Sequence, residues 1–193
     1  MSRFESAFCR GATWRAVAGG LILPWALQGV RLKGRVLEIG AGGGAVAERL
    51  LATRPDLELT VSDVDGRMVA AARARLARFA ERAAVVRTDA TRLPLPDASF
   101  DAVLSFIMLH HVIAWETALD EAVRVLRPDG VLVGYDLLAT RTARLLHQAE
   151  GSRHRLMTLA DLGAHLDRLP VEAHLRPALA GVLVRFIVHK TSA

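Results

Sequence analysis

Arg35-Val36-Leu37-Glu38-Ile39-Gly40-Ala41-Gly42-Gly43-Gly44-Ala45 reads as a buried strand, a glycine turn and the start of a helix. Apolar β-formers in succession suit a strand covered on both faces. The glycines permit positive φ and leave no Cβ between backbone and ligand. A helix from about Ala45 to Ala52 then aims its unpaired N–H groups at whatever lies above the turn. The stretch predicts a nucleotide-scale ligand site, with the remaining chain arranged around it.

Two ligand classes suit such a turn. Gly40-x-Gly42-x-x-Ala45 satisfies the relaxed dinucleotide fingerprint, in which a pyrophosphate sits on the helix N-terminus. Glu38 opposes that reading, because a carboxylate two residues before the first glycine repels a pyrophosphate and attracts an ammonium or sulfonium. Read as Glu38-x-Gly40-x-Gly42-x-Gly44, the stretch resembles the first motif of class I S-adenosylmethionine-dependent methyltransferases. The resemblance implies a cofactor carrying an amino group, a carboxylate and a sulfonium, held by Glu38, Gly40, Ala41, Gly42 and Gly44.

With 193 residues, 52% of them hydrophobic, the chain is long enough to bury roughly 70% of its unfolded surface in one core. The net charge of +5 does not by itself predict a nucleic-acid partner. Lys33 and Lys190 are the only lysines, and the arginines are scattered through an alanine-rich chain, a bias of genomic base composition. A single cysteine, Cys9, excludes an internal disulfide and a multi-cysteine zinc site, and points to a reducing cytoplasm. The apolar run Val17 to Val30 is interrupted by Gly19-Gly20 and Pro24 and is too short to span a bilayer.

Residues 1–32 precede the first strand and carry Phe4, Phe8, Trp14, Ile22, Leu23, Trp25 and Leu27. So many large apolar groups must be buried, either by packing on the sheet or as a lid over a site. Residues 33–193 then form the ligand-binding domain. Leu57 to Asp63 alternates as a second strand, and Asp63 follows Gly40 by 23 residues. An acid there accepts hydrogen bonds from ribose hydroxyls of either adenosine-containing cofactor. Val64-Asp65-Gly66-Arg67-Met68 opens the next helix, with Asp65 as its N-cap. It is similar to the family's run of acid, apolar residue, cap and methionine, which places Val64 and Met68 by the cofactor.

A third strand, Ala84 to Arg87, leads to Thr88-Asp89-Ala90, and Leu93-Pro94-Leu95-Pro96-Asp97-Ala98-Ser99-Phe100-Asp101-Ala102-Val103 follows. This long run resembles small-molecule class I methyltransferases of the methyltransferase type 11-like family. The resemblance assigns Asp89 to the exocyclic amine of adenine and Ala90 to close approach of the ring. Phe100 to Phe106 is the fourth strand; Phe106 is expected among the cofactor-binding residues, and Ile107-Met108-Leu109-His110-His111-Val112 should face the reacting centre, at the carboxyl end of a parallel sheet. Adjacent histidines diverge on a helix or strand, so one of the pair is expected to be structural and a metal pair is not expected. A helix from Glu116 to Leu126 and a Pro128-Asp129-Gly130 turn lead into the fifth strand.

Five strands alternating with helices specify an α/β, doubly wound, Rossmann-like sheet. A polar helical stretch through Thr140 to Arg155 carries His147 and His154, and Thr158 to Asp161 resembles a capping box opening a further helix. Val171 to Leu175 and Val182 to Lys190 then form a hairpin, the antiparallel C-terminal closure that completes the seven strands of the methyltransferase family. Resemblance covers Val36 to Lys190.

The sequence therefore predicts a methyltransferase that moves the methyl of S-adenosylmethionine to a small, partly apolar acceptor. Oxygen or carbon acceptors would need a base, for which His110, His111, Tyr135 and Asp136 are candidates. An NAD(P)-dependent oxidoreductase would account for Gly40, Gly42 and Asp63, but not for Glu38 or the run from Asp89 to Val103. A non-catalytic S-adenosylmethionine-binding protein would keep all these motifs. Nucleic-acid methylation is not expected, since Ser105-Phe106-Ile107-Met108 stands where base methyltransferases usually have an Asn-Pro-Pro-Tyr-like run.

Overall fold

The computed structural model describes residues 20, 22–141, 143 and 154–192. β1 (Gly34–Ile39) runs parallel between β2 (Leu57–Asp63) and β4 (Phe100–Phe106). β3 (Ala83–Arg87) pairs parallel with β2, and β5 (Leu126–Leu137) pairs parallel with β4. β7 (Leu183–Lys190) lies antiparallel between β5 and β6 (Val171–Ala178), giving the order β3-β2-β1-β4-β5-β7-β6. The seven-stranded sheet is thus mostly parallel, with β7 reversed, as the sequence predicts. Pro128-Asp129-Gly130 falls inside β5 as an irregularity: the ladder passes from Phe100↔Leu126 to Ala102↔Val131, with Asp129 at φ 62°.

Alternation along the strands divides the interior into two cores. Val36, Leu59, Leu104 and Val133 pack with α1 (Leu23–Ala26), α2 (Ala45–Thr53) and α3 (Gly66–Leu76). Leu37, Val103, Leu132 and Phe186 pack on the other face with α4 (Trp115–Val125) and α5 (Leu159–Leu166). Asp65 caps α3 by accepting Arg67 N–H at 2.8 Å. Thr158 and Asp161 form the expected capping box of α5. Lys190 Nζ donates to the carbonyls of Val123 and Leu126 at 2.8 and 2.7 Å, satisfying acceptors that α4 leaves at its C-terminus.

Of the predicted N-terminal segment, Leu23, Ala26 and Leu32 are buried in the core beside α2 and α3, so this portion packs on the sheet. Cys9, Phe4, Phe8, Trp14 and His147 lie outside the described residues, as does most of the helical stretch expected over Thr140 to Arg155. Among the described residues no helix is long and apolar enough to cross a membrane.

Candidate active site

The predicted site residues come together along the carboxyl ends of β1 to β5, where open parallel sheets place ligands. Three glycines of the turn have positive φ for different reasons. A Cβ on Gly40 (φ 62°) would lie 2.7 Å from Met108 Cβ, so this glycine makes room for the loop after β4. Gly44 (φ 73°) is the N-cap of α2 and packs against Ala72. Gly42 (φ 54°) has no atom of the described residues within 4 Å of where its Cβ would stand, so among these residues the space above it is open to a ligand. Ala41 N–H donates to Ser62 O at 2.9 Å, which ties the turn to β2.

Glu38 is 3% exposed, and its Oε2 is buried with no hydrogen-bond partner among the described residues. Burial pushes its pKa up to about 8, offset in part by the Ala47 N–H in the first turn of α2 and raised further by Asp63. A buried acceptor without a donor is costly unless something charged fills the gap. The Asp63 carboxylate accepts Gly42 N–H on Oδ2 at 2.8 Å and Asp65 N–H on Oδ1 at 2.9 Å. Burial raises its pKa too, and the two backbone donors oppose that. Val64 beside it is 63% exposed, whereas Met68 is buried in the core. Asp89 is exposed after β3 and caps its own turn through Thr91 N–H and Thr91 Oγ1, at 2.9 and 2.8 Å. Ala90 packs on the edge of the core.

At the ends of β4 and β5, Phe106 and Tyr135 are register partners whose rings stack at 5.3 Å, and Trp25 meets Tyr135 edge-on at 5.6 Å. The next residue of β5, Asp136, is fully buried and organises the loop after β4. Its Oδ2 accepts the N–H groups of Met108 and Leu109 at 2.9 and 2.7 Å, and its Oδ1 lies 2.5 Å from His110 Nδ1. Arg155 clasps the same loop, donating N–H to His110 O at 2.9 Å and a guanidinium N–H to Ile113 O at 2.9 Å while pairing with Glu116 at 2.6 Å.

A profile of the family described as Methyltransferase domain matches residues 37–134, more than half of the chain. The chain belongs to the class I S-adenosylmethionine-dependent methyltransferase family. It is 40% identical over 123 residues to the ubiquinone/menaquinone biosynthesis C-methyltransferase UbiE of Methylobacterium nodulans, covering 59% of this chain and 49% of that protein. It is 36% identical over 188 residues to the 27-O-demethylrifamycin SV methyltransferase of Amycolatopsis mediterranei, covering 91% and 65%. The chain thus spans about half to two thirds of the length of these curated relatives. The YcgJ protein of Bacillus subtilis shares the fold, with a TM-score of 0.74 at 20% identity over 91% of this chain and 99% of that one.

The fold and family of this chain imply S-adenosylmethionine as cofactor, and the chemistry of the turn fits it. The orphaned Glu38 Oε2 suits an ammonium or sulfonium, and the free volume above Gly42 admits close approach of a ligand. On the acceptor side the structure corrects two expectations. Met108 (8% exposed) and Leu109 (0%) turn into the core instead of facing the reacting centre, because Asp136 draws their N–H groups inward. The two histidine rings do not diverge but lie 4.0 Å apart, because Leu109–His111 is a 3-10 turn and neither an α-helix nor a strand. His110 is the structural member, 1% exposed and held by Asp136; His111 is only partly buried. Sequence reading named His110 and Asp136 separately and missed their pairing, as it missed Arg155. No local pattern links residues 26 apart.

Proposed function

We propose that the protein transfers the methyl group of S-adenosylmethionine to a small, partly apolar acceptor. The observation that carries the cofactor assignment is the buried Glu38 Oε2, without a hydrogen-bond partner among the described residues, below the open glycine turn. In this reading Glu38 takes the cationic end of the cofactor, and Gly40, Ala41, Gly42 and Gly44 keep the backbone low beneath it. Asp63 keeps the turn in place through Gly42 N–H and offers its remaining lone pairs to the ribose. Val64 contributes an exposed apolar face to the adenine, and Asp89 with Ala90 borders the ring from the end of β3. Met68 supports this wall from the core.

When bound, the cofactor supplies a methyl group on a sulfonium, which departs without needing a proton. The residues then have to align the acceptor and exclude water, and alignment alone is worth about 7–11 kcal/mol of a barrier. Phe106, Tyr135 and Trp25 form an aromatic wall at the carboxyl ends of β4 and β5, which favours a flat or aliphatic acceptor over a charged polymer. Asp136 and His110, buried and paired, are assigned to positioning the loop. His111, partly buried beside His110, is the residue assigned to deprotonating an acceptor that requires it.

Calorimetry with S-adenosylmethionine, S-adenosylhomocysteine and NAD tests the cofactor. Both sulfur ligands are expected to bind and NAD is not; saturable NAD binding without a response to S-adenosylmethionine overturns the reading. Transfer of labelled methyl to a panel of phenols and hydroquinones, set against charged polymers, tests the acceptor class.

A further inference from the structure

Away from the glycine turn, the β6–β7 end of the sheet gathers two arginines and two histidines. The ladder sets Glu172 opposite His189, His174 opposite Ile187 and Arg176 opposite Arg185. Alternate residues of a strand share a face, so these six lie together, opposite the buried Val184, Phe186 and Val188. A groove of about 380 Å³ opens on this face, lined by Gln28, His174, Arg176, Arg185, Ile187 and His189.

Arg185 is 7% exposed and fixed from behind: Nε donates to Ala26 O at 2.9 Å, and an Nη2 N–H donates to Gln28 O. Arg176 stands directly opposite it, exposed, with no ion pair among the described residues. Like charges directly opposed across two strands destabilise them unless something neutralises the pair. Burial, and then the charge of Arg176, push the Arg185 pKa down. Glu172 cannot relieve them, since it lies four residues, about 13 Å, along β6 from Arg176. A carboxylate or a phosphate would bridge two such guanidiniums through paired charge-assisted hydrogen bonds.

We propose that this groove is a binding site for the carboxylate or phosphate group of a small acid, held between Arg176 and Arg185 with His174 and His189 at its rim. The site adjoins the aromatic wall, because Phe106, Tyr135, Arg185 and Arg176 are successive partners in one row across β4, β5, β7 and β6.

The test is a titration of the 15N-labelled full chain with benzoate and with inorganic phosphate, at constant ionic strength set by chloride, followed through the amides of residues 172–177 and 184–190. Saturable shifts confined to these strands are expected, weakened at least tenfold in Arg176→Ser and less in Arg176→Lys, with S-adenosylhomocysteine affinity unchanged in both. Tighter binding of benzoate than of phosphate identifies an organic acid; the reverse order identifies free phosphate. Shifts that do not saturate, that spread over other arginines, or that persist in Arg176→Ser overturn the proposal. So does an oligouridylate that binds the same strands more tightly than either small anion, since that marks a nucleic-acid face.

Discussion

His110 Nδ1 and Asp136 Oδ1 lie 2.5 Å apart in the interior, with side chains 2% and 0% exposed. The same carboxylate accepts Met108, Leu109 and Leu137 N–H groups, so one residue of β5 carries the turn that follows β4. These donors replace the water the carboxylate gave up on burial. Asp136→Ala strands three backbone donors and a ring nitrogen, and is expected to cost about 3–5 kcal/mol in urea denaturation. A loss under about 1 kcal/mol, the range of an ordinary substitution, would show that the loop is held by something else.

Glu38 gives stability a definite pH dependence. Its pKa is about 8 in the folded chain against 4.5 as an ordinary carboxyl. Below 4.5 both states are protonated and folding is undisturbed. As pH rises toward 8 the unfolded chain sheds a proton that the folded chain retains, so stability is progressively lost. The full loss is on the order of 5 kcal/mol, and the raised Asp63 acts with the same sign. Glu38→Gln should match the parent in acid and exceed it at pH 9. A cationic ligand reverses the sign, so S-adenosylmethionine affinity should climb with pH in the parent and stay level in Glu38→Gln.

Gly40 and Gly42 should separate folding from binding. Gly40→Ala forces a Cβ to 2.7 Å from Met108 and should lower the melting temperature. Gly42→Ala meets no atom of the described residues and should cost about 1–2 kcal/mol for its left-handed φ alone, yet weaken cofactor binding more than Gly40→Ala does per unit of stability lost. Equal effects of the two on affinity would place the ligand elsewhere.

Asp63→Ala should weaken cofactor binding by roughly 1–3 kcal/mol. It should also loosen the turn, because Gly42 N–H loses its acceptor. Asp63→Asn keeps one oxygen for Gly42 but turns an NH2 toward Asp65 N–H, and is therefore expected to regain only part of the stability while binding stays weak. If both variants bind S-adenosylhomocysteine as the parent does, Asp63 is not at the ribose. Asp89→Ala should relax selectivity for adenine over other nucleoside bases, read by competition with S-inosylhomocysteine.

Deleting residues 1–19 tests whether the segment ahead of α1 covers the acceptor. The shortened chain keeps Leu23, Ala26 and the Arg185 contacts, so it should fold and bind cofactor while losing turnover. Deleting 1–30 removes that core and should fail by melting temperature. Full turnover in the shorter deletion would exclude a lid.

Much of this architecture is written in short windows of sequence. The apolar run 36–39 followed by glycines specifies strand, turn and helix. Asp65 and Thr158 cap the helices they precede, and the alternation of strands with helices implies a parallel sheet. Each of these depends on neighbours within about four residues, which is why periodicity and capping chemistry reveal them. The positions of the candidate residues are legible to the same depth: Glu38, Gly42 and Asp63 stand at or just beyond strand ends that local pattern alone locates. What local pattern leaves open is which distant group each residue meets. That His110 falls against Asp136, that Gly40 must be bare because Met108 crosses it, and that Arg185 reaches back 159 residues to Ala26 were decided by strand register and loop path. Slipping a strand by one residue sends every side chain to the opposite face, so such contacts exist only once the whole sheet has assembled.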